Sequence, residues 1–238
     1  MDAERRLAEL HGRGWNFDPA RSAEYTAANG WHVDDLRQPL PGEPPGEPLP
    51  DGSWEIARRL MRGYEFADPS IVRAFYDPDE PLEHRTMLLQ LRFRGLRFHV
   101  GVRVSGVHDE HRVDADGRTA RVWGWAYRTL KGHLEQGQMD WEVWKWLDSG
   151  AVEFRVHAYS RRARDVNPIL RLGFRVFGRR EQVAFLRSTQ RRMLRLTEAA
   201  LRDPDGAELH RVAERSTARP SRDTSAVHEV LRLRARRT

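Results

Sequence analysis

The stretch that decides the fold is Thr86-Met87-Leu88-Leu89-Gln90-Leu91-Arg92-Phe93-Arg94-Gly95-Leu96-Arg97-Phe98-His99-Val100-Gly101-Val102-Arg103-Val104. Met87, Leu89, Leu91 and Phe93 alternate with Leu88, Gln90, Arg92 and Arg94. Gly95 breaks the run, and Leu96, Phe98, Val100, Val102 and Val104 then alternate with Arg97, His99, Gly101 and Arg103. Successive side chains of a strand point to opposite faces, so a period of two predicts two half-buried strands with one apolar face and one face carrying Arg and His. The alternation returns downstream. Trp123, Trp125 and Tyr127 share a parity within 120–129, as do Met139, Trp141 and Val143 within 138–147, and Val152, Phe154, Val156 and Ala158 within 151–160. Turns at Asp114-Ala115-Asp116-Gly117 and Asp148-Ser149-Gly150 keep the connections short, which implies antiparallel pairing.

After Ser160 the period becomes helical. Asn167-Pro168 reads as an N-cap followed by a proline in the first turn. Ile169, Leu172, Val176, Val183, Leu186, Met193, Leu196 and Ala200 form an apolar stripe opposite the arginines, predicting a helix over 168–201 that can bend at Gly178. A sheet with one apolar face and a helix with one apolar stripe bury both by packing together. The expected fold is therefore α+β: a curved antiparallel sheet gripping a long C-terminal helix.

Upstream, residues 2–12 read as a short amphipathic helix and 13–37 as irregular chain anchored by Trp15, Phe17, Tyr25 and Trp31. Pro39–Pro50 has six prolines in twelve residues. Proline has no N–H to donate, so this segment is expected to be an extended surface arm without regular structure. A helix is expected over 54–61, and 69–76 reads as a short helical or extended element. The expected organisation is an N-terminal helix and proline-rich arm over 1–53, the sheet-and-helix domain over 54–202, and a polar basic tail over 203–238.

The chain has 238 residues, 39% of them hydrophobic and 32% charged, and no cysteine. Disulfides, thiolate catalysis and Cys-ligated metals are excluded. No apolar run approaches the ~20 residues of a membrane-spanning helix, so no membrane span is expected. Asp2, Glu4 and Glu9 interrupt the start of the chain, which argues against a secretory leader and for the cytoplasm. The net charge is +6, and residues 167–201 hold eight arginines against Glu181 and Glu198. Such a face binds RNA or anionic surfaces in some proteins, but most often it is the solvated side of a helix, and a nucleic-acid partner is not the expected one. Phosphate-cradling glycine loops and the G-x-S-x-G elbow are absent.

Residues 86–195 resemble the family known as domain of unknown function nineteen-ninety. The resemblance rests on Gly124-Trp125-Ala126-Tyr127-Arg128-Thr129-Leu130-Lys131-Gly132-His133-Leu134-Glu135-Gln136-Gly137, on Phe154-Arg155-Val156-His157-Ala158-Tyr159-Ser160-Arg161, and on the Arg- and Gln-rich segment Arg179–Arg195. That family is grouped with the helix-grip superfamily of START domains and the birch-pollen allergen. The resemblance implies a hydrophobic cavity for lipids, hormones or polyketides and, in some branches, cyclase or hydrolase activity. It implies no cofactor.

Parity names the expected lining of a cavity between sheet and helix: Leu91, Phe93, Phe98, Trp125, Trp141, Phe154 and Val156 from strands, and Val176, Val183 and Leu186 from the helix. The expected function is binding of a hydrophobic or amphipathic small molecule there. The alternative is an enzyme (a cyclase, dehydratase or hydrolase) using the same cavity, with Tyr127, His133 and Glu135 as acid–base residues. A second alternative is RNA or anionic-surface binding through the arginine helix. His108-Asp109-Glu110-His111 is expected at a solvated hairpin end, with no metal. Trp144 and Trp146 lie on the parity opposite Trp141, so one aromatic patch is expected to be covered by the N-terminal arm or by a partner chain, as in a homodimer.

Overall fold

The computed structural model describes residues 3–93, 96–163 and 179–203. Seven strands form one antiparallel sheet: β1 (His32–Leu40), β2 (Val72–Phe75), β3 (Thr86–Phe93), β4 (Leu96–Val113), β5 (Thr119–Thr129), β6 (Glu135–Trp146) and β7 (Val152–Arg162). Their order in space is β1-β7-β6-β5-β4-β3-β2. Helix α1 spans Ala3–His11, α2 spans Ser53–Arg62 and α3 spans Arg179–Arg202. The curved sheet and the C-terminal helix realise the helix-grip arrangement expected from the change of period. The part of the expected C-terminal helix before Arg179, with Val176 and Gly178, lies outside the described residues, as does the expected tail beyond Asp203. The side chain of Phe93 is likewise outside them.

One face of the sheet, called the inner face here, is the core. Met87, Leu89, Val100, Val102, Trp125, Trp141, Phe154 and Val156 join Ile56, Leu60 and Met61 of α2 and Phe185, Leu186, Met193 and Leu196 of α3 in a single buried cluster. The parity predicted from residue 86 onward places each of those strand residues correctly. Leu91 is buried in the same cluster, while Phe98 and Val183 are half-buried.

Two expectations are corrected. Residues 32–37 are not irregular: His32–Leu40 form edge strand β1, with Leu36 opposite Val156 and Leu40 opposite Val152. Charged and polar residues dominate this segment, so its alternation is weak, and pairing with β7 overrides its local preference. Pro39 and Leu40 at its end are strand rather than arm, and an edge position suits a proline. His108–His111 is not a hairpin end. A bulge between Val104 and Gly106 lets β4 run on to Val113, placing Asp109 opposite Trp123 and His111 opposite Arg121. On the outer face Trp144 and Trp146 cluster with Ala120 and Val122, without a residue of the arm in that cluster. Arg155 lies 3.9 Å over the Trp144 ring and Arg118 lies 4.5 Å over the Trp146 ring, so guanidinium planes cap the indoles.

Candidate functional site

The inner face changes character along its length. In its middle, aromatic rings pack on one another. The Trp141 ring centroid lies 4.6 Å from Phe66, 6.0 Å from Phe154 in a stacked pair, and 6.5 Å from Phe185 of α3. Tyr64, at the end of α2, lies 6.0 Å from Trp125, 6.5 Å from Tyr127 and 6.4 Å from Trp141. The expected lining residues Trp125, Trp141, Phe154, Val156 and Leu186 are thus brought together, each at most 2% exposed. Phe66 and Tyr64 complete the wall. Sequence reasoning missed both, because they sit in the irregular turn after α2, where no periodicity marks a buried side chain.

Toward the start of β6 the same face turns polar. Glu135 pairs in register with Arg162 of β7, and Ser160 lies opposite Gly137. Gln182 of α3 donates to Ser160 Oγ at 2.7 Å. Arg179 forms a bidentate ion pair with Asp34 of β1. Burial pushes the Glu135 carboxyl up to about 7, against the opposing pull of Arg179 and Arg162. A carboxyl that titrates near neutrality can hold or release a proton under ordinary conditions.

The three expected acid–base residues occupy this region without forming one hydrogen-bonded set. Tyr127 points inward from β5, and its hydroxyl donates to Met139 Sδ at 3.4 Å. Burial raises its phenol well above the ordinary value, and the Glu135 charge adds to that. His133 lies in the β5–β6 connection, where its Nδ1 accepts the backbone N–H of Glu135 at 2.9 Å. Burial lowers its imidazole to about 4, so the ring is neutral. His133 therefore meets the Glu135 backbone through Nδ1 and steadies the turn that starts β6. Thr129 Oγ1 and Asn16 support the same turn, Thr129 accepting the Gly137 N–H at 3.0 Å and Asn16 Nδ2 donating to the Glu135 carbonyl at 2.7 Å.

The family description "Domain of unknown function (DUF1990)" matches residues 19–193. The chain belongs to the DUF1990 family. No curated protein matches the chain. Solved structures similar to this DUF1990 protein include Ara h 8.0201, at 9% identity over 71% of this chain and 99% of that one, with a TM-score of 0.39. The ZhuI aromatase/cyclase from Streptomyces sp. R1128 has 15% identity over 73% and 98% of the two chains, with a TM-score of 0.39. Human STARD10 has 9% identity over 87% and 84%, with a TM-score of 0.36.

The DUF1990 protein has two other surfaces rich in charged groups. On the outer face, Phe17, Asp18, Arg21, Glu24, Tyr25, Asn29, Trp31 and Arg161 line an open cleft of about 300 Å³. Within it Arg21 pairs with Glu24, Asp18 accepts the Ala20 N–H at 3.0 Å, and Arg161 stacks on Trp31. On α3, Arg187, Arg191 and Arg195 form an exposed row, the solvated side of the stripe. His108 and His111 face different carboxylates, Glu142 at 3.0 Å and Glu47 at 2.9 Å. No helix among the described residues is long and apolar enough to cross a membrane.

Proposed function

We propose that this protein binds a hydrophobic or amphipathic small molecule against the inner face of the sheet, beneath α3. The observation that carries the reading is the gradient on that face: a wall of rings around Trp141 leads to a charged end at Glu135, Arg162 and the Asp34–Arg179 pair. An amphipathic guest matches such a surface, its apolar body against the rings and its polar end at the rim. Leu91 and Phe98, farther along the sheet, extend the apolar wall.

Mass spectrometry of the purified, denatured protein tests this directly. A co-purified organic molecule at near-stoichiometric amount is expected. In titrations with 8-anilinonaphthalene sulfonate, Trp141→Ala is expected to weaken binding about tenfold or more while the fold persists by circular dichroism. Probe affinity unchanged by Trp141→Ala and by Phe154→Ala would overturn the placement.

A second reading is favoured by one observation, the Glu135 carboxyl near neutrality. If the bound molecule is converted, Glu135 exchanges the proton, Tyr127 donates a hydrogen bond, and His133 positions Glu135 through its backbone. In that case Glu135→Gln retains the bound molecule and stops its conversion, read by the mass of the ligand released. Conversion at an unchanged rate in Glu135→Gln would remove the enzymatic reading and leave the binding one.

A further inference from the structure

Trp125 and Trp141 stand directly opposite each other across β5 and β6, both on the inner face. They are 1% and 0% exposed, and each indole Nε1–H is sealed from solvent with no acceptor among the described residues. Three other indoles of the protein are satisfied. Trp144 donates to Glu142 at 2.7 Å, Trp146 to Glu153 and Trp54 to the Arg121 carbonyl. Buried donors are nearly always paired, and one left unmade costs its full desolvation. An indole N–H can only donate, so neither group can be satisfied by a neighbouring donor. The Tyr64 hydroxyl, whose ring packs against both indoles, is unpartnered as well, so three buried polar groups of this cluster are left without a partner among the described residues.

The surroundings select the kind of acceptor. Tyr64, Phe66, Tyr127, Phe154 and Phe185 ring the pair, and none carries a positive charge. Two buried cations of this side are already engaged: Lys145 of β6 by Glu43 and the Glu47 carbonyl, both at 2.8 Å, and Arg192 of α3 by the Glu65 carbonyl at 2.9 Å. An anion at the indoles would be desolvated without a counter-charge, whereas a neutral oxygen loses little. We infer that the molecule bound on the inner face carries a neutral carbonyl-type oxygen on an apolar, ring-bearing body, and that this oxygen accepts from the indole N–H of Trp125 or Trp141. The inference rests on the proposed binding function and names its ligand class.

Three probes of similar shape separate the possibilities: acetylnaphthalene, with a neutral carbonyl; isopropenylnaphthalene, its isostere without an acceptor; and naphthoate, an anion. Each is titrated into the full chain while the eight indole N–H resonances are followed by NMR. The ketone is expected to bind about fivefold or more tightly than the isopropenyl isostere, the advantage of one net hydrogen bond. It should also move one or two indole resonances downfield, which the isostere leaves in place. Trp125→Phe and Trp141→Phe assign those resonances and should together abolish the ketone's advantage while both neutral probes still bind. The wild-type comparison stands by itself if a variant fails to fold. Equal affinity for ketone and isostere overturns the inference and leaves the binding function intact. Tightest binding by naphthoate overturns the neutral-acceptor assignment. No inner-face binding of any probe overturns both readings.

Discussion

Glu43 and Glu135 mark opposite ends of the sheet's inner face and are treated in opposite ways. Glu43, in the proline-rich arm, is fully committed. Its side chain is 3% exposed and paired with the 0%-exposed Lys145, and it also accepts the Trp54 N–H at 2.8 Å and the Leu49 N–H at 3.0 Å. The arm is locked down beside it, with the Glu43 N–H on the Gly150 carbonyl and the Gly46 N–H on the Leu147 carbonyl. Glu135 has no such set among the described residues. It feels Arg179 and Arg162 from nearby, Arg179 is itself committed to Asp34, and burial lifts the Glu135 carboxyl to about 7. A carboxylate whose oxygens are filled by fixed donors holds structure together. One that is desolvated and incompletely compensated is available for a ligand or a proton.

The largest effect should come from breaking the closed end. Lys145→Met leaves Glu43 buried without its cation, and the expected loss is about 3–5 kcal/mol in urea unfolding. Pairing it with Glu43→Leu should recover a substantial part. A loss below about 1 kcal/mol for Lys145→Met would make the two ends equivalent and dissolve the contrast.

Gly150→Ala attacks the same clamp through the backbone. Gly150 has φ +72°, and an added Cβ would meet the Glu43 carbonyl oxygen at 1.8 Å. A left-handed non-glycine residue costs about 1–3 kcal/mol even without that clash. The arm's protection from proteolysis near Gly46 should fall along with the melting temperature.

The open end should reveal itself through pH. Glu135 titrates near 7 in the fold against an ordinary 4.5, so its stabilising share is complete below pH 4.5 and is lost as pH rises through 7. His133 titrates near 4 against an ordinary 6.5, so its share is complete above pH 6.5 and is lost as pH falls through 4. The two slopes oppose each other in the interval they share. Glu135→Gln should therefore unmask a stability that rises with pH across about 4–6.5, by up to about 1.4 kcal/mol per pH unit. An unchanged profile would show that Glu135 is as well compensated as Glu43.

The smallest effect sharpens the comparison. Arg179→Met removes a partly exposed ion pair and should cost less than about 1 kcal/mol. It also removes one of the cations that hold the Glu135 carboxyl down, so the Glu135 titration followed by carbon NMR should move above 7. Stability insensitive to Arg179 together with a shifted carboxyl would separate the open end from the structural one.

Much of the sheet was readable residue by residue, because alternation over β3 to β7 is a property of neighbouring positions and survives any tertiary arrangement. The core partners Trp125, Trp141, Phe154 and Val156 followed from parity alone. Strand β1 was not readable: His32-Val33-Asp34-Asp35-Leu36-Arg37 offers little alternation, and its register comes from β7. The long β4 was cut short in the reading because the bulge at Val104/Gly106 shifts parity by one, and the pattern looks broken where the strand is merely kinked. Of the candidate site, Tyr127, His133 and Glu135 were legible as residue types in a segment matching the family. Their environments were not.

The sequence by itself determined the class of fold, the inward set of strand residues and the helix that covers them, since each follows from spacing along one chain. Only the tertiary structure decided which polar groups are satisfied. Glu43 and Glu135 are the same residue type, and Trp125 and Trp144 the same ring. What distinguishes them is the donors, acceptors and charges that distant segments bring close: Lys145 and Trp54 for Glu43, Glu142 for Trp144, and for Trp125 no acceptor among the described residues. Hydrogen bonds and desolvation act over a few ångströms in space, a distance with no fixed relation to separation in sequence.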